Sequence, residues 1–251
     1  VSHRSRAAEL RFVINQCGAT AIVHDGALGS RLPAAGEVPT LKTRVSVGEW
    51  PGSERFDTLF ASDASVDVAD QRDDDVVLLL YTSGTTGHPK GAMITHGMTF
   101  WNGINVGSIA RVTKDSVNLC VLPTFHTGGL NVYANPVFHA GGTVVVQRHF
   151  DPATTLDLLA KSEIAGITHF LGVPANFLFM RQLPQFEDSD FSHLTTLGIG
   201  GAPCPVQLLK DWSTRGGLMQ QAYGMTETGP IVLVLDSDRA IDKVGSAGLA
   251  V

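Results

Sequence analysis

Apolar residues recur along this chain at two different periods. Leu10, Val13, Ile14 and Cys17 follow i, i+3, i+4 and i+7 before Gly18 interrupts them, which predicts an amphipathic helix closed by glycine. Ala21-Ile22-Val23 then reads as a short buried strand. From Gly26 to Asp70, Gly, Pro, Ser and Asp break the periodicity, and only Leu41–Val47 reads as a strand. Past Asp73-Asp74-Asp75, a solvated turn by composition, the pattern sharpens. Strands are predicted at Val76–Tyr81, Ala92–Ile94, Val117–Leu122, Thr143–Gln147, Gly166–Leu171, Leu194–Ile199, Met219–Tyr223 and Ile231–Leu235, with helical text between most of them. Asp151-Pro152 predicts a helix start, backed by Leu156, Leu159 and Ala160 as an apolar face. Pro205 opens another helix, carrying Val206, Leu209 and Trp212, which Arg215-Gly216-Gly217 closes.

Alternating strands and helices predict an α/β fold of largely parallel, helix-covered sheets. A length of 251 residues suits one large domain or two modest ones, and no internal repeat is evident. The change of texture after residue 72 divides the chain into an α/β portion, 1–72, which the resemblance described below implies is incomplete, and a core, 73–251.

Composition narrows the function by exclusion. A formal charge of −6 gives no field that would gather nucleic acid or an anionic membrane, so any polyanion is held by a local site. Three scattered cysteines without a CxxC pair point to a reduced, cytoplasmic compartment, and Cys204, with no base beside it, reads as structural. Apolar runs are too short to span a bilayer, and no secretory signal opens the chain. HExxH and GxSxG are both absent, which removes support for a zinc site and for a serine hydrolase.

The densest chemistry lies in Tyr81-Thr82-Ser83-Gly84-Thr85-Thr86-Gly87-His88-Pro89-Lys90-Gly91. Its glycines let the backbone turn sharply and bring N–H groups close to a ligand, its hydroxyls add donors, and Lys90 adds a positive charge. Charge-assisted hydrogen bonds of about 1.5–3 kcal/mol each suffice, in small number, to hold a pyrophosphate. Taken alone, the segment also fits a Gly/Thr-rich hairpin with a solvated lysine. It is not a Walker A loop, because Lys90 follows Pro89 and precedes Gly91.

What the segment resembles is the SGTTGxPKG signature of the adenylate-forming superfamily, whose eight specified positions match Ser83–Gly87, Pro89, Lys90 and Gly91. Three companions follow in order. Leu122–Asn131 is similar to the landmark bordering the acyl pocket, Gly200-Gly201-Ala202-Pro203 to the segment along the adenine and acyl group, and Gln221–Thr228 to the YGMTE element. The resemblance covers nearly the whole chain and is most specific from Tyr81 to Gly229.

It implies the large N-terminal domain of such enzymes, truncated, without the small C-terminal domain and its catalytic lysine. It also implies an acid–thiol ligase that activates a fatty or aryl acid with ATP and passes the acyl group to CoA. Lys90, Thr226 and Glu227 would act in catalysis, with Glu227 holding Mg²⁺. Thr82, Ser83, Gly84, Thr85, Thr86, Gly87, Gly201, Ala202, Gln221, Ala222, Tyr223 and Gly224 join Lys90 and Thr226 around ATP, while His126, Gly128 and Gly200 line the acid pocket. Phe125-His126 offers no carboxylate for a substrate ammonium, which favours acids lacking one. Arg148 stands where relatives often place a basic residue near the CoA phosphates, and Gly245–Gly248 resembles the stretch before the family's next block. Three other readings remain open: a ligase serving a carrier-protein thiol, a non-catalytic nucleotide- or acyl-binding fragment, and a structural remnant.

Overall fold

The computed structural model describes residues 1–61, 65, 67–83, 87–160 and 166–251, which fall into two compact units. The first unit comprises Val1–Gln71 and Leu79–Ala92, the second Arg72–Leu78 and Met93–Val251.

In the first unit, helix α1 (Ala7–Cys17) precedes a parallel three-stranded sheet of β1 (Ala21–Asp25), β2 (Thr43–Val47) and β3 (Glu54–Arg55), in that order. The Glu9 carboxylate accepts from the Arg6 N–H, and Gly18, at φ 63°, ends the helix. Leu10 and Ile14 pack with Val38 and Leu41 in a small core. Two expectations need correction. Cys17 is exposed, because Leu10, Val13 and Ile14 complete the buried stripe. Val23 is 58% exposed rather than buried, since β1 is an edge strand with one face open.

Strands β4 (Val76–Thr82) and β5 (Lys90–Thr95) form a two-stranded sheet whose tip belongs to the first unit and whose base belongs to the second. The apolar run in β4 is less buried than its composition predicts, with Val76, Val77 and Leu79 exposed and Leu80 buried.

The second unit is built on a seven-stranded sheet of order β12-β11-β10-β9-β8-β6-β7. Here β6 is Val117–Cys120, β7 Thr143–Val146, β8 His169–Gly172, β9 Thr196–Gly200, β10 Met219–Gly224, β11 Ile231–Leu235 and β12 Leu249–Ala250. The five strands from β7 to β10 run parallel, while β11 and β12 add an antiparallel edge. Helices follow: α2 (His96–Ile109), α3 (Thr127–Leu130), α4 (Ala134–His139), α5 (Pro152–Ala160), α6 (Pro174–Arg181) and α7 (Val206–Ser213).

Both faces of the sheet are covered. Phe170 faces a large core shared with Leu156, Leu159, Phe177, Met180, Leu209 and Trp212, whereas its neighbour Leu171 faces Val106, Ala110 and Tyr133. The Asp151 side chain accepts from the Thr154 N–H, 2.8 Å, as expected of the cap of α5. In α7 the buried residues are Leu208, Leu209 and Trp212, and Val206 is exposed because it lies in the first turn, off that stripe. Helix α2 shows little periodicity: Phe100, Trp101 and Ile104 are exposed, while Gly97, Asn102 and Val106 are buried.

Trp212 is fully buried, with its ring centroid 4.5 Å from that of Phe191 and 5.0 Å from those of Phe177 and Phe186. Trp212→Ala is expected to cost about 3–5 kcal/mol by leaving a cavity at this junction, and Trp212→Phe less, as read from urea unfolding midpoints.

His169 is buried, its Nε2 2.9 Å from the Ala110 carbonyl and its Nδ1 2.7 Å from the Thr168 hydroxyl. Burial, partly opposed by the bond to Ala110, lowers its pKa below the usual histidine value. The folded state therefore prefers the neutral ring. Its contribution is complete above the unfolded-state pKa of about 6.5 and is lost as pH falls from there toward the folded value. Urea midpoints should decline more steeply below pH 6.5 in the native protein than in His169→Gln; equal slopes would count against this role.

Candidate functional site

The predicted site residues fall in both units. In the first, Thr82 ends β4 and Lys90 begins β5, and the Thr82 hydroxyl lies 3.5 Å from the Lys90 carbonyl across the strands. Ser83, Gly87 and Lys90 are exposed, and Gly87 adopts φ 89°. Gly84, Thr85 and Thr86 lie outside the described residues.

In the second unit, a cavity of about 400 Å³ opens beyond the C-terminal ends of the parallel neighbours β9 and β10. Crevices at carboxyl strand ends are where open α/β sheets take ligands, and this volume lies within the usual range for small-molecule sites. One wall comes from Ile199 and Gly201–Cys204, another from Gln221–Gly224, a third from Gly245–Ala247. The predicted residues Gly201, Ala202, Gln221, Ala222, Tyr223 and Gly224 are thus brought together.

Gly200 explains how this wall is built. It pairs with Ala222 across the ladder, and a Cβ on residue 200 would stand 2.7 Å from the Ala222 carbonyl oxygen. Any side chain there would push β9 and β10 apart at the mouth. Tyr223 is 54% exposed, leaving its ring face available, and the register shifts between Tyr223 and Gly224. The buried Gln221 Nε2 has no hydrogen-bond partner among the described residues, an unpaired donor in a cavity-lining side chain.

Beyond Gly224 the chain turns through Thr226–Thr228. The Met225 N–H donates to the Pro230 carbonyl, 3.0 Å, and the Thr228 hydroxyl donates to the same oxygen, 2.7 Å. This fastening buries Thr226 and leaves Glu227 exposed.

His126 stands at the N-terminus of α3, where its Nδ1 accepts from the Gly128 N–H, 3.1 Å. An accepting Nδ1 puts the ring proton on Nε2. The ring is exposed, and its second nitrogen is a donor. A smaller cavity beside α3 is lined by Gly128, Gly129, Cys120 and Tyr133, so Gly128 borders a different hollow from Gly201, and the predicted Gly200 lines neither.

Two sets of lining residues escaped the sequence argument. Cys204, expected to be structural, borders the large cavity, as do Gly245, Ser246 and Ala247. The run of small residues at 245–248 was the available signal; for Cys204 there was none beyond its place after Gly200–Pro203.

Comparison with known proteins gives the family and the fold. A family model described as AMP-binding enzyme matches residues 1–251. A feruloyl-CoA synthase of an Amycolatopsis species is 40% identical over 176 residues, covering 70% of this chain and 35% of that protein. A long-chain-fatty-acid–CoA ligase of Mycobacterium tuberculosis is 29% identical over 260 residues, covering 100% of this chain and 49% of that protein. The chain spans roughly a third to a half of the length of such curated relatives. Among solved structures, the inhibitor-bound N-terminal domain of FACL13 from M. tuberculosis superposes with a TM-score of 0.85 at 26% identity, covering 100% of this chain and 62% of that one. ATP-bound MatB from Rhodopseudomonas palustris gives 0.83 at 29% identity, covering 100% and 48%.

The cysteines offer a direct check on the cavity. Cys17 is exposed, Cys120 is buried, and burial pushes the Cys204 thiol up to about 11. A thiol so raised is mostly protonated at neutral pH and a poor nucleophile. In the folded protein at pH 7.5, iodoacetamide should modify Cys17 first, Cys204 slowly and Cys120 last, as read by peptide mass mapping. A ligand filling the cavity should slow Cys204 further; labelling of Cys204 as fast as Cys17 would contradict the geometry.

Proposed function

We propose, from the premise that this chain belongs to the AMP-binding enzyme family, that it forms the ATP- and acid-binding part of a ligase converting a carboxylic acid to its CoA thioester. The observation that carries this reading is the cavity between the Gly200–Pro203 and Gln221–Gly224 segments, two of the motifs that the sequence assigned to one ligand. Tyr223 offers an aromatic face for a purine, and Gln221 offers a buried donor.

The reaction has two steps. An oxygen of the carboxylate attacks the α-phosphorus of ATP, the bond from that phosphorus to the β-phosphate oxygen breaks, and pyrophosphate leaves. The thiol sulfur of CoA then attacks the acyl carbonyl, loses its proton, and expels AMP.

The obstacle is electrostatic, since an anion approaches a polyanion. Lys90 and the N–H groups of Ser83–Thr86 are assigned to the β- and γ-phosphates, where they reduce that repulsion, and Thr226 to the α-phosphate. Glu227 fits a divalent cation of the Mg²⁺ type, which takes one or two carboxylates together with phosphate oxygens, and an exposed single carboxylate meets that need. When bound, such an ion neutralises phosphate charge.

For the acid, the His126 Nε2 is a donor, suited to an oxygen acceptor and unsuited to an ammonium. The relatives at 38–40% identity are named for feruloyl and indoleacetate substrates, and that likeness supports proposing aryl acids ahead of fatty acids.

The test is acid-dependent release of pyrophosphate by the full-length protein, across alkyl, aryl and aminoacyl acids and with CoA or a carrier-protein thiol as acceptor. Aryl acids with CoA should turn over best. Lys90→Ala should slow the first step about 10- to 100-fold, the cost of one charge-assisted bond to phosphate. Turnover restricted to amino acids, or a Lys90→Ala rate equal to wild type, would overturn the reading.

A further inference from the structure

The described arms of the phosphate loop are both held by one helix that no motif includes. Tyr81 leans over Gly91 of the neighbouring strand, where a Cβ would lie 3.3 Å from the ring atom Cζ. With no side chain at 91, the ring crosses β5 and its hydroxyl donates to the Gln16 side-chain oxygen on α1. One turn earlier on that helix, Phe12 stacks on His88, with ring centroids 5.4 Å apart and planes inclined by 22°. Residues four apart share a helix face, so Phe12 and Gln16 form one surface against the loop.

The helix itself is fixed by other contacts. Leu10 and Ile14 anchor it in the unit's core, while the Arg11 guanidinium and the Asn15 amide donate to Glu37, at 2.7 and 2.8 Å. Tyr81 stands two residues before Ser83, and His88 is the unspecified position of the SGTTGxPKG signature. One anchor therefore lies on either side of Thr82–Gly87, and the second stands two residues before Lys90.

We infer that α1 is the backing plate of the phosphate loop, and that Phe12 is a positioning residue which, through the ring of His88, sets the affinity for the nucleotide triphosphate. This rests on the function proposed above. A loop rich in Gly and Thr loses backbone freedom when its N–H groups converge on phosphate. Fixing its arms beforehand removes part of that loss, and the gain registers in nucleotide binding. The ring area of residue 88 supplies the hold, so its ionisation and hydrogen bonding are dispensable.

The test uses the full-length protein and acid-dependent pyrophosphate release, with KM for ATP, KM for the acid and kcat measured separately. His88→Ala and Phe12→Ala should each raise KM for ATP about three- to tenfold, the range of an aromatic pair, with kcat and the acid KM within about twofold. The double variant should be no worse than either single one, and His88→Phe should restore the native KM. His88 is exposed, so the His88→Ala and His88→Phe pair carries the test even where Phe12→Ala folds poorly. Equal impairment in His88→Phe and His88→Ala would overturn the inference, as would an unchanged KM for ATP in His88→Ala beside a slowed Lys90→Ala. Unchanged release in Lys90→Ala would remove the loop's proposed role, and the inference with it.

Discussion

The close approach of two backbones at one point governs the large cavity. Gly200 and Ala222 face each other across the parallel pair β9 and β10, and the Ala222 carbonyl occupies the space that a side chain on residue 200 would need. Because the two strands stay in register up to that pair, the residues beyond it, Gly201–Cys204 and Tyr223–Gly224, leave side by side. A cavity at this place therefore needs no special fold. It follows from a parallel ladder ending abruptly with a bare residue at its last rung.

That ladder depends in turn on cover from both sides. Parallel strands buried on both faces are hydrophobic at nearly every position, and Phe170-Leu171 illustrates it, one residue entering each core. The cores differ in character. The face carrying Trp212 is aromatic and aliphatic, whereas the opposite face includes His169, Asn102 and Asn131, held by hydrogen bonds such as that from the Asn102 amide to the Asn131 carbonyl, 2.7 Å. Such groups are costly if unpaired, and the bonds that they make tie α2 to the segment before α4 and β8 to the residue that ends α2.

Much of this was legible in the sequence, because the strong signals are local. Ile231–Leu235 is a strand at its predicted bounds, and Met219–Gly224 extends its predicted strand by one residue. The Asp151 cap and the Gly18 stop work as their chemistry requires. The motif segments Gly200–Pro203 and Gln221–Gly224 meet because one fold places strand ends together, which spacing alone does not reveal. Burial was harder to read, as it depends on partners far along the chain. Val23, Val206 and the first residues of β4 are apolar yet exposed, while α2 hides its inward face behind residues of mixed polarity. Predicted to begin at Gly166, β8 starts at His169, because Thr168 turns its hydroxyl to accept from the Val117 N–H, 2.8 Å. Phe12 and Gln16 carried no functional signal at all, since a helix face made of one aromatic and one amide resembles any surface.

His126 shows how a structural duty can narrow a chemical one. Capping α3 engages Nδ1 as an acceptor and thereby decides which nitrogen holds the proton. A histidine read from sequence offers a donor, an acceptor or a cation; this one, as a neutral ring, offers a donor at Nε2. An oxygen of a substrate can use that donor, and a substrate ammonium cannot. The absence of a carboxylate from Leu122–Asn131 and the tautomer imposed by Gly128 then point the same way by independent routes. One is a matter of composition and the other of geometry. Under the function proposed here, discrimination against an ammonium would need no extra residue, because the ring assigned to it already belongs to a helix cap.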